Sequence, residues 1–177
     1  MLKYVDTKVV FSEIPDEITL AINISSCPCH CKGCHSPYLA EDIGEPLTPE
    51  KVLELIDNNK GITCIAFMGG DNDPYAIYQL CKVVQFLRPE INRAWYSGRQ
   101  TLPEFLNDEK LQRYSYIKLG PYIEEKGPLN NSNTNQRLYK YSSLYSDYTI
   151  GQGWRDITYK FWKNEDIGHT TSPNGDI

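Results

Sequence analysis

Apolar residues fall in short runs along the chain, set apart by polar punctuation, and the period of each run predicts its element. Glu17-Ile18-Thr19-Leu20-Ala21-Ile22-Asn23-Ile24 is rich in β-branched residues and predicts a buried strand that runs directly into a loop. Thr48-Pro49-Glu50 has the form of a helix start, with Thr as N-cap, Pro at the first helical position and an acid in the first turn. Val52, Leu53, Leu55 and Ile56 then supply an apolar face, and Asn58-Asn59-Lys60-Gly61 stops the helix. Ile62 to Met68 is almost continuously apolar, as suits a parallel strand covered on both faces, and it ends at Gly69-Gly70. The same reading gives a helix from Pro74 to Leu87, closed by Arg88-Pro89, and a strand from Arg93 to Tyr96, broken by Ser97-Gly98. A helix from Leu102 to Gln112 and a strand from Tyr116 to Leu119, ended by Gly120-Pro121, complete the series.

This β-α-β-α-β-α-β alternation predicts an α/β fold with parallel strands joined by right-handed crossovers. Ligands in such folds collect at the carboxyl ends of the strands. The loops after Ile24, Met68, Tyr96 and Leu119 are therefore expected on one rim. Beyond Gly120 the pattern weakens. Asn130 to Asn135 reads as a polar loop, Arg137 to Tyr141 and Ile157 to Phe161 as candidate strands, and residues 164–177 as a disordered tail.

The chain has 177 residues, 40% of them hydrophobic, which is enough for one domain over residues 1–163 with its own core. A net charge of -5 without a Lys/Arg run excludes a phosphate-neutralising nucleic-acid face. No apolar stretch has the length of a membrane span, and the opening residues carry no signal-peptide core, so a cytoplasmic protein is expected.

Cysteine usage changes the picture. Four of the six cysteines crowd into Cys27-Pro28-Cys29-His30-Cys31-Lys32-Gly33-Cys34-His35, while Cys64 and Cys81 sit in apolar segments. Cysteines this dense do not suit a disulfide framework; in a cytosolic chain they point to metal binding or catalysis. Cys27, Cys31 and Cys34 have the spacing C-x3-C-x2-C, which can wrap one face of a [4Fe-4S] cube and leave the fourth iron without a protein ligand. Cys29, His30 and His35 also give the loop some likeness to a zinc knuckle, although no second Cys/His pair follows at finger-like distance. Cys29 is read as a bystander thiol.

C-x3-C-x2-C directly after a first strand resembles the signature of radical S-adenosylmethionine (SAM) enzymes. The resemblance implies that Cys27, Cys31 and Cys34 hold the cluster and that its open iron chelates the amino and carboxylate groups of SAM. Gly69-Gly70-Asp71 resembles the family's Gly-Gly-Glu motif, with Asp in place of Glu, and Tyr96-Ser97-Gly98 resembles a SAM-contacting strand end. By the same resemblance Gly33, Cys34, His35, Gly69, Gly70, Asp71 and Ser97 are the expected SAM contacts. Ordinary turns at Gly70 and Ser97 and a solvent-exposed His35 are the bland alternatives.

Within that superfamily, Ile117-Lys118-Leu119-Gly120-Pro121-Tyr122-Ile123-Glu124-Glu125, followed by Thr134-Asn135-Gln136-Arg137-Leu138, resembles the activating proteins of anaerobic ribonucleoside-triphosphate reductase. The likeness runs over about residues 15–141. It implies a partial, open (β/α) barrel of the radical SAM type and generation of a glycyl radical on the reductase. It also implies an anaerobic setting and an electron donor such as a flavodoxin. An activase for a formate-lyase type of glycyl radical enzyme, or a zinc module without redox chemistry, are the alternatives.

Overall fold

The computed structural model describes residues 1–162. One mixed sheet of eight strands organises them, in the spatial order β3-β1-β2-β4-β5-β6-β7-β8. Its centre is parallel: β2 (Thr19–Ile24), β4 (Cys64–Met68), β5 (Asn92–Tyr96) and β6 (Tyr116–Leu119) lie side by side. Chain order and spatial order agree across these four strands, as the alternation predicts. Antiparallel strands flank them: β1 (Lys3–Val10) and β3 (Glu45–Pro46) on one side, β7 (Arg137–Tyr141) and β8 (Trp154–Asp156) on the other.

Two helices cross between the central strands. Thr48 caps α1 (Pro49–Asn58) by accepting from the Lys51 N–H. Asp73 caps α2 (Pro74–Leu87) by accepting from the Ala76 N–H. Each cap satisfies an N–H that the first helical turn leaves without a partner, and Pro follows immediately in both helices.

The strand period of two splits the core. Leu20, Ile22, Ile24, Ile65, Phe67, Trp95 and Ile117 pack against Val52, Ile56, Ile77, Leu80 and Val84 of the helices. Each such side chain contributes roughly 1.5–3 kcal/mol by leaving water. The opposite face is smaller: Cys64, Ala66, Ala94 and Tyr116 lie under Ile14, Leu138 and Ile157. Cys64 and Cys81 are both buried free thiols. At the amino-terminal end of the sheet, Glu17 accepts from Asn92 Nδ2 (2.8 Å), the Tyr116 hydroxyl (2.8 Å) and Thr63 Oγ1, tying the strand starts together.

Three elements differ from the sequence reading. The helix expected over Leu102–Gln112 is a single turn, α3 (Asp108–Leu111). Pro103 restricts the residue before it, and the Asn107 side chain accepts from the Lys110 N–H, which starts the helix late. The strand expected over Ile157–Phe161 is a 3-10 turn over Thr158–Phe161, preceded by β8. Asp156 is the reason, because its carboxylate accepts from the Thr158 N–H (2.8 Å) and hydroxyl (2.5 Å) and folds the chain over. β1 has no counterpart in the sequence reading, since its residues are mostly half-exposed and its apolar pattern is weak. The polar segment 164–177 lies outside the described residues.

Candidate metal centre

The loops that follow β2, β4, β5 and β6 open onto one cavity of about 420 Å³. Its wall includes Cys27, Cys29, Cys31 and Cys34 from the first loop, Gly69 and Asp71 from the second, Ser97 and Gly98 from the third, Tyr122 from the fourth, and Lys118 from β6 itself. Local hydrogen bonds hold the cysteine loop in place: the Ser26 and Cys27 N–H groups donate to Glu41 O (3.0 Å) and Leu39 O (2.9 Å). Ser26 and His30 take positive φ values of 58° and 43°, which non-glycine residues seldom adopt, and these turn the chain sharply through the cysteines. Cys27, Cys29 and Cys31 are half-buried and Cys34 is exposed. The Ser36 N–H donates to Cys34 Sγ at 3.4 Å.

Asp71 is the centre of a polar cluster beside this loop. It is 3% exposed, and its carboxylate accepts from Ser97 Oγ (2.6 Å) and the Gly98 N–H (2.8 Å). Arg99 Nε lies 3.5 Å from the same carboxylate, and Arg99 Nη2 donates to Asp71 O at 3.0 Å. Cys29 Sγ stands 3.7 Å from Asp71 Oδ2. Burial, then the negative charge of Asp71 and the neighbouring thiols, push the Cys29 thiol up to about 12.

The expected SAM contacts divide on this geometry. Cys34, Gly69, Asp71 and Ser97 line the cavity. Gly33, His35 and Gly70 are not among its lining residues. Gly33 has φ +72° and lies beside the Glu124 side chain. Gly70 has φ +83°, and a Cβ there would stand 2.6 Å from Ile77 Cδ1, so it serves the packing of α2 on the strand end. His35 packs against Tyr122 with ring centroids 5.3 Å apart and lines a neighbouring surface groove with Phe11 and Leu129. The Gly69 N–H donates to Tyr96 O (3.0 Å), and Gly69 O accepts from Trp95 Nε1 (2.8 Å).

Lys118 is the residue that sequence reasoning missed. It is buried at 7% exposure, and Nζ donates to Ser97 O (3.3 Å) and Gly120 O (2.6 Å). Among the described residues no carboxylate lies within ion-pair distance of it. Burial pushes its ammonium down to about 8, against the pull of Asp71 and the loop thiols. The available signal was a charge inside Tyr116–Leu119, a four-residue strand that is otherwise apolar. A cation here faces the cysteine cavity and suits an anionic occupant.

Lysine at this depth makes stability depend on pH in a defined direction. Between about 8 and its ordinary 10.5 the unfolded chain holds more of this proton than the folded one, so stability gains as pH rises through that window. Below about 8 both states are protonated and the burial penalty stands in full. Unfolding midpoints of cluster-free protein at roughly pH 8 and pH 10 are expected to show this gain in wild type relative to Lys118→Met. Parallel pH slopes in the two proteins would contradict it.

The segments Gly120-Pro121-Tyr122 and Asn135-Gln136-Arg137 are in contact. Asn135 Nδ2 donates to Pro121 O (2.9 Å), and a Cβ on Gly120 would lie 3.0 Å from Gln136 Cα. Their joint presence in the sequence therefore has a packing reason.

The profile of the 4Fe-4S single cluster domain family matches residues 18–145, from the start of β2 to just beyond β7. The chain belongs to that family. No curated protein and no solved structure matches it. The match covers the cysteine loop and the other three rim loops, and it decides for an iron–sulfur cluster over zinc. The donor set fits, since soft thiolates are the ligands such clusters take. Among the described residues no three His, Cys, Asp or Glu side chains converge tightly enough to hold a single metal ion. A four-iron cube is wider than an ion, so its thiolates stand farther apart. Among the described residues no helix is long and apolar enough to cross a membrane.

Proposed function

We propose that this 4Fe-4S protein cleaves SAM reductively and generates a glycyl radical on anaerobic ribonucleoside-triphosphate reductase. The observation that carries the reading is the meeting of four strand-end loops at one cavity that holds the C-x3-C-x2-C cysteines. Cys27, Cys31 and Cys34 hold the cluster, and a three-thiolate set leaves one iron open to SAM. The sheet serves as the partial barrel of the radical SAM type, with its rim open to a loop of the partner. Held there by Cys27, Cys31 and Cys34, the cluster would supply the one electron for reductive cleavage of SAM, the chemistry that would lead to hydrogen abstraction at a glycine Cα of the reductase. A flavodoxin-like donor in the cytoplasm provides that electron.

The chain's own residues bind and orient. Lys118 offers positive charge at the cavity wall for an anionic cluster or for the carboxylate of SAM. Gly69 lets backbone approach the ligand closely. Asp71 and Ser97 hold each other and keep the second and third loops in place. The partner assignment rests on the resemblance carried by residues 117–125 and 134–138.

Anaerobic EPR tests the reading. Reconstituted protein, SAM, reductant and the reductase are expected to give a glycyl doublet that any one missing component abolishes. A doublet only with a formate-lyase type of partner would move the assignment to that enzyme. A reconstituted cluster that never cleaves SAM under reduction would end the radical SAM reading.

A further inference from the structure

We propose that Cys29 is a positioning residue that clasps the cluster loop to the end of β5. The inference rests on the iron–sulfur cluster and not on the SAM reading. A Cβ built on Gly98 would lie 2.4 Å from Cys29 Sγ and 3.2 Å from Cys29 Cβ. The sulfur thus fills the space that a side chain at position 98 would need, and only glycine admits it.

The carboxylate behind this contact closes the clasp. Asp71 Oδ2 lies 3.7 Å from Cys29 Sγ and accepts from the Gly98 N–H at 2.8 Å, while Asp71 Oδ1 accepts from Ser97 Oγ at 2.6 Å. Loops from β2, β4 and β5 therefore meet at one point. Cys29 sits between Cys27 and Cys31, so seating its side chain fixes the stretch of loop that presents both neighbouring thiols to the cavity. Cys29 is then neither a ligand nor a bystander: it sets where Cys27 and Cys31 stand.

The steric part of the clasp is open to a rescue experiment on cluster-loaded protein, read as the rate of loss of the cluster's visible absorbance in EDTA. Gly98→Ala forces Cys29 outward and is expected to speed the loss by about tenfold or more, the scale on which supporting residues alter metal retention. Cys29→Ala removes the clasp without crowding the loop and is expected to speed the loss by a smaller factor, above wild type and below about tenfold, whereas a wild-type rate would leave Cys29 a bystander. Combining the two removes the collision, so the double variant is expected to fall back to the rate of Cys29→Ala alone, a coupling of opposite sign to additive damage. A double variant as fast as Gly98→Ala overturns the clasp.

Cys29→Leu gives a second, independent reading if Gly98→Ala does not fold. A thiol facing open space would tolerate the larger side chain. A thiol seated against Gly98 would not, and about tenfold faster cluster loss is expected. Wild-type retention in Cys29→Leu, or a Cys29→Ala protein as empty as a ligand variant, also overturns the proposal.

Discussion

Cys27→Ala, Cys31→Ala and Cys34→Ala are each expected to leave the protein nearly without a [4Fe-4S] cluster after anaerobic reconstitution, whereas Cys29→Ala retains it. Thiolates are the ligands of these clusters, and a set of three has no spare member. Even residues that only support a ligand shift metal affinity by about 10–100-fold, so loss of a ligand itself should exceed that range. Iron and acid-labile sulfide per chain, with the visible absorbance, provide the measure. Cys29 differs from its neighbours in where its sulfur lies, against Gly98 and 3.7 Å from the Asp71 carboxylate. Equal cluster loss in all four variants would show that the C-x3-C-x2-C assignment has chosen the wrong thiols. The set Cys29, Cys31 and Cys34, whose first spacing is C-x-C, would then become a candidate.

Asp71→Ala is expected to destabilise the cluster-free protein strongly for a polar substitution at the rim of the sheet. Its carboxylate is 3% exposed and accepts from Ser97 Oγ and the Gly98 N–H, both at the buried end of the site. Truncation leaves those two donors without a partner, at a cost of about 1–3 kcal/mol for each unsatisfied buried group. Arg99 regains water because its side chain is 42% exposed, so its ion pair adds little. An overall loss of about 2–4 kcal/mol follows, read as a lower denaturant midpoint at unchanged slope. Asp71→Asn keeps an acceptor oxygen of the same shape and should lose only about half as much. A midpoint shift below about 0.5 kcal/mol in Asp71→Ala would mean that water replaces the carboxylate and that the loops need no tie.

These two predictions differ in how early their basis is visible. The cysteine spacing is a property of the eight consecutive residues from Cys27 to Cys34 and needs no coordinates. Asp71 was legible as an acid after a glycine pair, and its resemblance to a SAM-contacting motif suggested that it faces the ligand. Tertiary structure turns its carboxylate to Ser97 and Gly98, both more than twenty residues away in sequence. No local pattern carries that information, because the pairing depends on where two strand ends finish in space.

The central strands and the two long helices were determined by sequence alone. Their apolar periods are strong, and Thr48 and Asp73 with the prolines that follow mark helix starts by local hydrogen-bond chemistry. The cluster loop was determined in the same way, by close cysteine spacing. Tertiary structure decided the rest. It placed β1 and β8 on the flanks of the sheet, where half-exposed strands leave little hydrophobic signal. The late start of α3 is local instead, since Pro103 and the Asn107 cap outweigh the apolar pattern. Tertiary structure also buried Lys118 at the cavity wall and seated Cys29 in the space that Gly98 leaves open. Contacts between residues distant in sequence form only when the parallel strands align, so the loop reads in sequence as three candidate ligands with a bystander thiol, and only the fold shows that fourth thiol, Cys29, lodged against Gly98.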